Sequence, residues 1–252
     1  MSSKEQIWRL LPNIFKKLYL KIKPTILNVW NRDNAEEVFT EIYKKDLWGK
    51  ADEGYFSGIG SLNDLIVSRY VNTITEEADR QGFRDKTFVD LGCGDFRVGQ
   101  QLVPLSSKYI AVDVVKPLIE YNLKKYAAEK IEFHHLDIVN DELPEGEVCF
   151  VRQVLQHLSN QQIKKILEKL DMYKWVYITE HYPRESKNIR PNVNKVPDLK
   201  IRLEYQSGVY LSEPPFNVPL NKLKQILEVP ATGKEGDDSI GVIRTILYMP
   251  NA

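Results

Sequence analysis

The stretch Thr87-Phe88-Val89-Asp90-Leu91-Gly92-Cys93-Gly94-Asp95-Phe96-Arg97 decides the reading of this chain. Thr87 to Leu91 is a short apolar run of buried-strand type, and the pair Gly92 and Gly94 follows it at once. Glycines between a strand and a helix let the backbone turn sharply and approach a ligand, and the helix start offers free amides to it. A dinucleotide fingerprint would place a third glycine at position 97, but Arg97 stands there, so the segment departs from that pattern. Asp90, just ahead of the glycines, instead suits a cofactor that carries an ammonium group.

Working outward, strand-like and helix-like segments alternate. A helix is expected over Val98 to Leu105, a strand over Tyr109 to Asp113, and a helix from Pro117 with Ile119, Leu123, Tyr126 and Ala127 on one face. Further strands are expected at Ile131 to Leu136, Val148 to Val151 and Trp175 to Thr179, with a helix capped by Ser159 and Gln162 between the last two. A helix over Leu220 to Leu227 and a strand over Arg244 to Met249 close the chain. Such alternation builds a parallel sheet with helices on both faces. Asp113 ends the second strand, where a carboxylate can accept from both hydroxyls of a ribose. Asp137 ends the third, at the depth of an adenine amino group. Three acids at successive strand ends are a far more specific signal than any one of them.

Upstream, residues 1–85 read as a helical cap and residues 86–252 as the sheet domain. Leu11-Pro12 reads as a helix entry, followed by Phe15, Leu18, Tyr19 and Ile22 at helical spacing and a second surface of Lys16, Lys17, Lys21 and Lys23. That basic helix either packs on the core or meets a membrane surface or a partner. A second helix is expected near Glu36 to Lys45. The segment Gly58-Ile59-Gly60-Ser61 feeds a helix with Leu62, Leu65, Ile66, Arg69, Tyr70, Thr73 and Ile74 on one face, and Ser61 with Asp64 reads as a capping box. Residues 182–219 are irregular and rich in Pro, Asn and Arg, and so long an insert reads as a substrate loop.

Composition narrows the function classes. The chain has 252 residues, with 35 basic and 35 acidic side chains. Zero net charge argues against a protein that holds nucleic acid by a basic field. No apolar run approaches the roughly 20 residues that span a bilayer. Cys93 and Cys149, without zinc-like spacing, fit a reduced cytoplasm. His134 and His135 point to opposite faces of a strand, so no metal site is expected.

With VDLGCGD, YIAVD, HHLDI and VRQVLQHLS in order over roughly residues 86–180, the chain resembles the class I S-adenosylmethionine-dependent methyltransferases. The resemblance implies a Rossmann-like, doubly wound, mostly parallel seven-stranded sheet and S-adenosylmethionine as cofactor. It assigns Gly92 and Gly94 to the methionine moiety, with Asp90 beside them, Asp113 to the ribose, and Asp137 to the adenine. Ile138, Gly58, Ser61 and Arg152 complete the expected cofactor contacts. The SGIGS, VLQHLS and Ser212-Glu213-Pro214-Pro215-Phe216 segments look like a bacterial subgroup linked to surface-polysaccharide modification. The expected reaction is therefore O-methylation of a sugar, a phosphorylated sugar or a capsule precursor.

His157, after the fourth strand, reads either as general base or as a residue that orders its turn, and His181 is the alternative base. Glu180 is a carboxylate alternative. Arg152, Arg190 and Arg202 offer guanidinium groups for a phosphate or carboxylate on the substrate. Glu213-Pro214-Pro215-Phe216 resembles the tetrapeptide of amino-methyltransferases that act on nucleobases, but it lies some sixty residues past strand four and reads as loop structure. Two other classes compete: a silent cofactor-binding partner protein, and an NAD-type oxidoreductase, which Arg97 disfavours.

Overall fold

Alternate residues of the central strands enter two different cores. Val89, Leu91, Ile110, Val112, Cys149 and Val151 pack on one side, and Phe88, Tyr109, Ala111, Val148 and Phe150 on the other. Strands buried on both faces are the mark of a parallel sheet covered by helices. The computed structural model describes residues 34–50, 53–184 and 188–251. The expected basic helix around Phe15 to Ile22 lies outside the described residues.

The strands are β1 (Lys86–Leu91), β2 (Ser106–Asp113), β3 (Ile131–His135), β4 (Val148–Arg152), β5 (Trp175–Tyr182), β6 (Leu223–Pro230) and β7 (Val242–Tyr248). They form one seven-stranded sheet in the order β3-β2-β1-β4-β5-β7-β6. β1 to β5 run parallel, and β7 pairs antiparallel with both β5 and β6. The order reverses between β1 and β4, and a crevice opens there at the strands' C-terminal ends. The doubly wound, mostly parallel architecture expected from the sequence is the one observed.

The helices are α1 (Ala35–Lys44), α2 (Asp64–Gln81), α3 (Gly99–Leu102), α4 (Lys116–Lys125) and α5 (Asn160–Lys169). α2 sets Val67, Tyr70, Ile74 and Ala78 into the aromatic core with Phe88, Phe150 and Tyr177. α5 sets Ile163, Ile166 and Leu167 into the aliphatic core on the opposite face. Ser159 and Gln162 form the expected capping box of α5.

Several expectations are corrected. Leu220 to Leu227 is not a helix: a single turn over Leu220–Lys222 leads into β6. A register shift between Gln225 and Leu227 breaks the two-residue period, which is why the segment reads as helical in sequence. The cap of α2 is Asn63, whose side chain accepts from the Ile66 amide at 3.2 Å, whereas Ser61 turns inward. Leu62 and Leu123, expected on buried faces, are 49% and 52% exposed. α3 stops at Leu102 and a tighter turn over Val103–Leu105 follows, because Pro104 supplies no amide to extend the helix. β3 ends at His135, so Asp137 lies in the turn beyond the strand.

Candidate functional site

After β1 the chain reverses through Gly92 (φ 80°) and Gly94 (φ 56°). A Cβ on Gly92 would meet Val154 Cγ2 at 2.5 Å, and one on Gly94 would meet Ser57 Oγ at 2.6 Å. Conformation and space both demand glycine here. The Gly94 amide donates to Asp113 Oδ2 and the Val115 amide to Asp113 Oδ1, each at 3.0 Å. Asn122 of α4 donates its side-chain amide to the Gly94 carbonyl at 2.7 Å. Turn and carboxylate are thus held in one orientation. Burial raises the Asp113 pKa, and the two amides pull it back.

A second turn faces the first. The Ser57 amide donates to Asp95 Oδ2 at 3.1 Å, and the Asp95 amide donates to Ser57 Oγ at 2.8 Å. Ser57 also shares a 2.7 Å hydrogen bond with the Tyr43 hydroxyl of α1. Ser61 Oγ donates to the Gly58 carbonyl at 2.8 Å and lies 3.4 Å from Asp95. Arg152, at the end of β4, donates to the Gly60 carbonyl at 2.6 Å and lies over the Tyr70 ring. Asp90 is buried inside β1 and accepts from Tyr109 Oη at 3.1 Å, and burial pushes its pKa up to about 7.

Beyond β4, Gln153 stands at φ 57°, a costly conformation for a residue with a side chain. Its Nε2 and Arg152 Nε are buried with no hydrogen-bond partner among the described residues. The turn Leu155–His157 follows. Glu180 of β5 is fully buried and accepts the amides of Val154, Leu155 and Gln156 at 2.8–3.1 Å. Burial pushes its pKa up to about 8, against the pull of those amides, and the carboxyl serves the turn.

His157 is enclosed. Its Nδ1 lies 3.2 Å from the Asp198 carbonyl, its Nε2 lies 3.4 Å from Gln156 Nε2, and Phe39 and Trp48 flank the ring. Burial lowers its pKa to about 3, with the nearby Lys195 charge acting in the same direction. His181 Nδ1 lies 3.0 Å from Gln156 Oε1, and burial, reinforced by Arg152, lowers its pKa to about 4. No hydrogen bond of His181 Nε2 occurs among the described residues.

The two turns, the strand-end acids, Arg152, Gln153, Gln156 and both histidines border one cavity of about 690 Å³, whereas Asn122 and Glu180 support it from outside. Gly58, Ser61, Asp90, Gly92, Gly94, Asp113, Asp137, Ile138, Arg152, His157 and His181, the candidate residues of the sequence, all line it. Asp137 is turned into its own loop, accepting from the Val139 amide and Asn140. Phe39 and Tyr43 of α1, together with Trp48, give an aromatic wall, and Phe39 and Trp48 lie 6.1 Å apart at 25°. The insert contributes Leu199, Lys200, Ile201 and Glu204. Sequence reasoning missed Ser57, Asp95, Gln153 and Gln156 as site residues, because their partners are distant in the chain.

Arg202 and Arg190 do not border the cavity. Arg202 is buried on the carbonyls of Val193 and Leu158, and Arg190 lines a separate shallow depression. Glu213-Pro214-Pro215-Phe216 is also outside it, and Asn192 donates to the carbonyls of Glu213 and Pro214. His134 contacts Glu132, and His135 contacts the Val114 carbonyl and Glu36. Among the described residues no helix is long and apolar enough to cross a membrane.

No protein-family model matches this chain, and no curated protein matches it. Solved structures do. The N-methyltransferase NodS from Bradyrhizobium japonicum WM9, in complex with S-adenosyl-L-homocysteine, superposes with a TM-score of 0.58 at 13% identity, over 87% of this chain and 100% of that one. The 1,6-didemethyltoxoflavin-N1-methyltransferase from Burkholderia thailandensis, with 1,6-didemethyltoxoflavin and S-adenosylhomocysteine bound, gives 0.53 at 14% identity over 84% of each chain. The fold is the Rossmann-like fold of these methyltransferases. At such identities the likeness is one of fold.

Proposed function

We propose that this chain is an S-adenosylmethionine-dependent methyltransferase that methylates a hydroxyl of a small, uncharged acceptor of the sugar class. The observation that carries the reading is the convergence of the glycine turn with Asp90, Asp113 and Asp137 on one cavity. The residues fit the cofactor by their chemistry. Asp90 and Arg152 suit its amino and carboxylate groups, and Asp113 presents a carboxylate fixed by two amides to the ribose hydroxyls. The orphaned Arg152 Nε and Gln153 Nε2 are donors that call for acceptors on a ligand. S-adenosylmethionine, when bound, supplies a methyl group on a positively charged sulfur, which keeps the electron pair as the methyl leaves.

His181 takes the acceptor's hydroxyl proton on Nε2 as the oxygen gains its methyl group. Its ring is neutral above about pH 4, and a weak base suffices because an oxygen gaining a methyl becomes strongly acidic. His157 holds the turn instead, with both ring nitrogens engaged. The aromatic wall of Phe39 and Trp48 suits the C–H face of a sugar ring. A phosphorylated acceptor is disfavoured by charge. Among the described residues, Asp90, Asp95, Asp113, Asp137 and Glu204 line the cavity against Arg152 and Lys200 alone, and Lys200 is paired with Glu204 at 2.8 Å.

The test incubates the protein with S-adenosylmethionine carrying a deuterated methyl group, and with paired neutral and phosphorylated sugars. Mass spectrometry follows S-adenosylhomocysteine and labelled product. Product from neutral sugars, at rates above those of their phosphates, is expected. Faster turnover of the phosphates would overturn the assignment of an uncharged acceptor.

A further inference from the structure

The hydrogen-bond geometry around Gln156 decides which nitrogen of His181 can accept a proton. The Gln156 side chain stands between the two histidines and is almost fully buried. Its Oε1 lies 3.2 Å from the backbone N–H of His181. A backbone N–H only donates, so the amide oxygen, and not its nitrogen, faces β5. The same oxygen lies 3.0 Å from His181 Nδ1, so Nδ1 must carry the ring proton. A neutral imidazole has one such proton, which leaves Nε2 bare.

The other side of the amide follows the same logic. Gln156 Nε2 faces His157 Nε2 at 3.4 Å, so that nitrogen accepts and the His157 proton sits on Nδ1. There it meets the Asp198 carbonyl at 3.2 Å. From β5 through the turn to the insert, these contacts then pair donor with acceptor. Reversing either tautomer would set two donors or two acceptors against each other at the buried Gln156 side chain, which is unfavourable.

We infer that Gln156 is a positioning residue that fixes His181 as the Nδ1–H tautomer and keeps Nε2 as the proton acceptor in the cavity, an inference that rests on the proposed role of His181. The far end of the chain is anchored by the insert. The Asp198 amide donates to the His157 carbonyl at 3.2 Å, and Lys195 Nζ bridges that carbonyl (3.1 Å) and Asp198 Oδ1 (2.7 Å). Glu180 fixes the Gln156 backbone from below, through the amide at 3.1 Å. The charged and titratable groups around the pair are Arg152 of β4, Glu180 of β5, and Lys195, Asp198 and Arg202 of the insert.

A glutamate at position 156 would still accept from His181 Nδ1. It would also bring a negative charge that favours the protonated ring and would offer His157 no donor. An opposite charge at this range raises a histidine pKa by about one to three units.

The test is two-bond 1H–15N correlation NMR of the imidazole rings in 15N-labelled full-length protein without cofactor or acceptor. The chain has four histidines, and His157→Gln and His181→Gln variants assign the two of interest. Both rings are expected as Nδ1–H tautomers in the wild type and neutral at pH 6. In Gln156→Glu the His181 pKa should rise by at least about one unit. An Nε2–H form or a mixture at His181 in the wild type would overturn the inference, whether or not any variant folds. An unmoved His181 pKa in folded Gln156→Glu would do the same. The expected tautomer in a protein that forms no methylated product would instead leave Gln156's role standing and defeat the methyl-transfer reading. Once an acceptor is in hand, Gln156→Glu should move the acid limb of kcat upward.

Discussion

Burial pushes the Asp90 pKa up to about 7, and its carboxyl borders the cavity where a cationic amino group is proposed. An ammonium favours the ionised form, so below about pH 7 binding must release the Asp90 proton. The affinity for S-adenosylhomocysteine should therefore rise as pH is raised from 6 to 8 and then level off. Calorimetry in buffers of different ionisation heat checks this, and it should find a proton released at pH 6. Asp90→Asn should flatten the profile, and a flat profile in the wild type would contradict the assignment. At this scale the sequence displayed the acids and the glycines, since each follows a strand that is itself legible. Ser57, Asn122 and Gln156 were not legible as site residues. Ser57 acts through Asp95, 38 positions away, and Asn122 through the Gly94 carbonyl, 28 positions away. Gln156 acts through His181, 25 positions away. No local pattern encodes such partners.

Elements behave differently, because their signals are local and repeat. β1 to β5 and α5 stand where apolar runs and the Ser159 cap predict them. The entry to α2 shows how a local signal misleads. Ser61 and Asp64 have capping-box spacing, yet the 58–61 turn takes Ser61 towards Asp95, and Asn63 caps the helix. Asn63→Ala should therefore lose about 0.5–2 kcal/mol in urea denaturation, the usual cost of a lost cap. Ser61→Ala should leave α2 capped and act mainly on ligand affinity. Equal stability of Asn63→Ala and the wild type would restore Ser61 as the cap. β6 is the other misreading. Its register shift displaces Ile226 from the alternation, so Leu223, Ile226 and Leu227 imitate a helical stripe. What makes the segment a strand is β7, which sequence shows only as a distant partner.

Across the whole molecule, the reversal of strand order between β1 and β4 opens the crevice, and the elements that close it come from far apart in the chain. α1 and Trp48 supply the aromatic wall, the 57–61 turn locks against Asp95, and the insert brings Leu199, Ile201 and Glu204. The sheet and its strand-end acids and glycines are legible in sequence patterning, whereas the opposite wall of the crevice is assembled from α1 and from loops with no period of their own. Methyl transfer requires the crevice to bind S-adenosylmethionine and its product. Calorimetry of the full chain at pH 7.5 with S-adenosylhomocysteine and with NAD, in parallel with Asp113→Ala, is the most direct measurement. Binding of S-adenosylhomocysteine is expected, with none of comparable affinity for NAD. At least a tenfold loss is expected in a folded Asp113→Ala protein, from about 1.5–3 kcal/mol of charged hydrogen bonding. Tight NAD binding with no heat from S-adenosylhomocysteine would contradict the methyl-transfer reading.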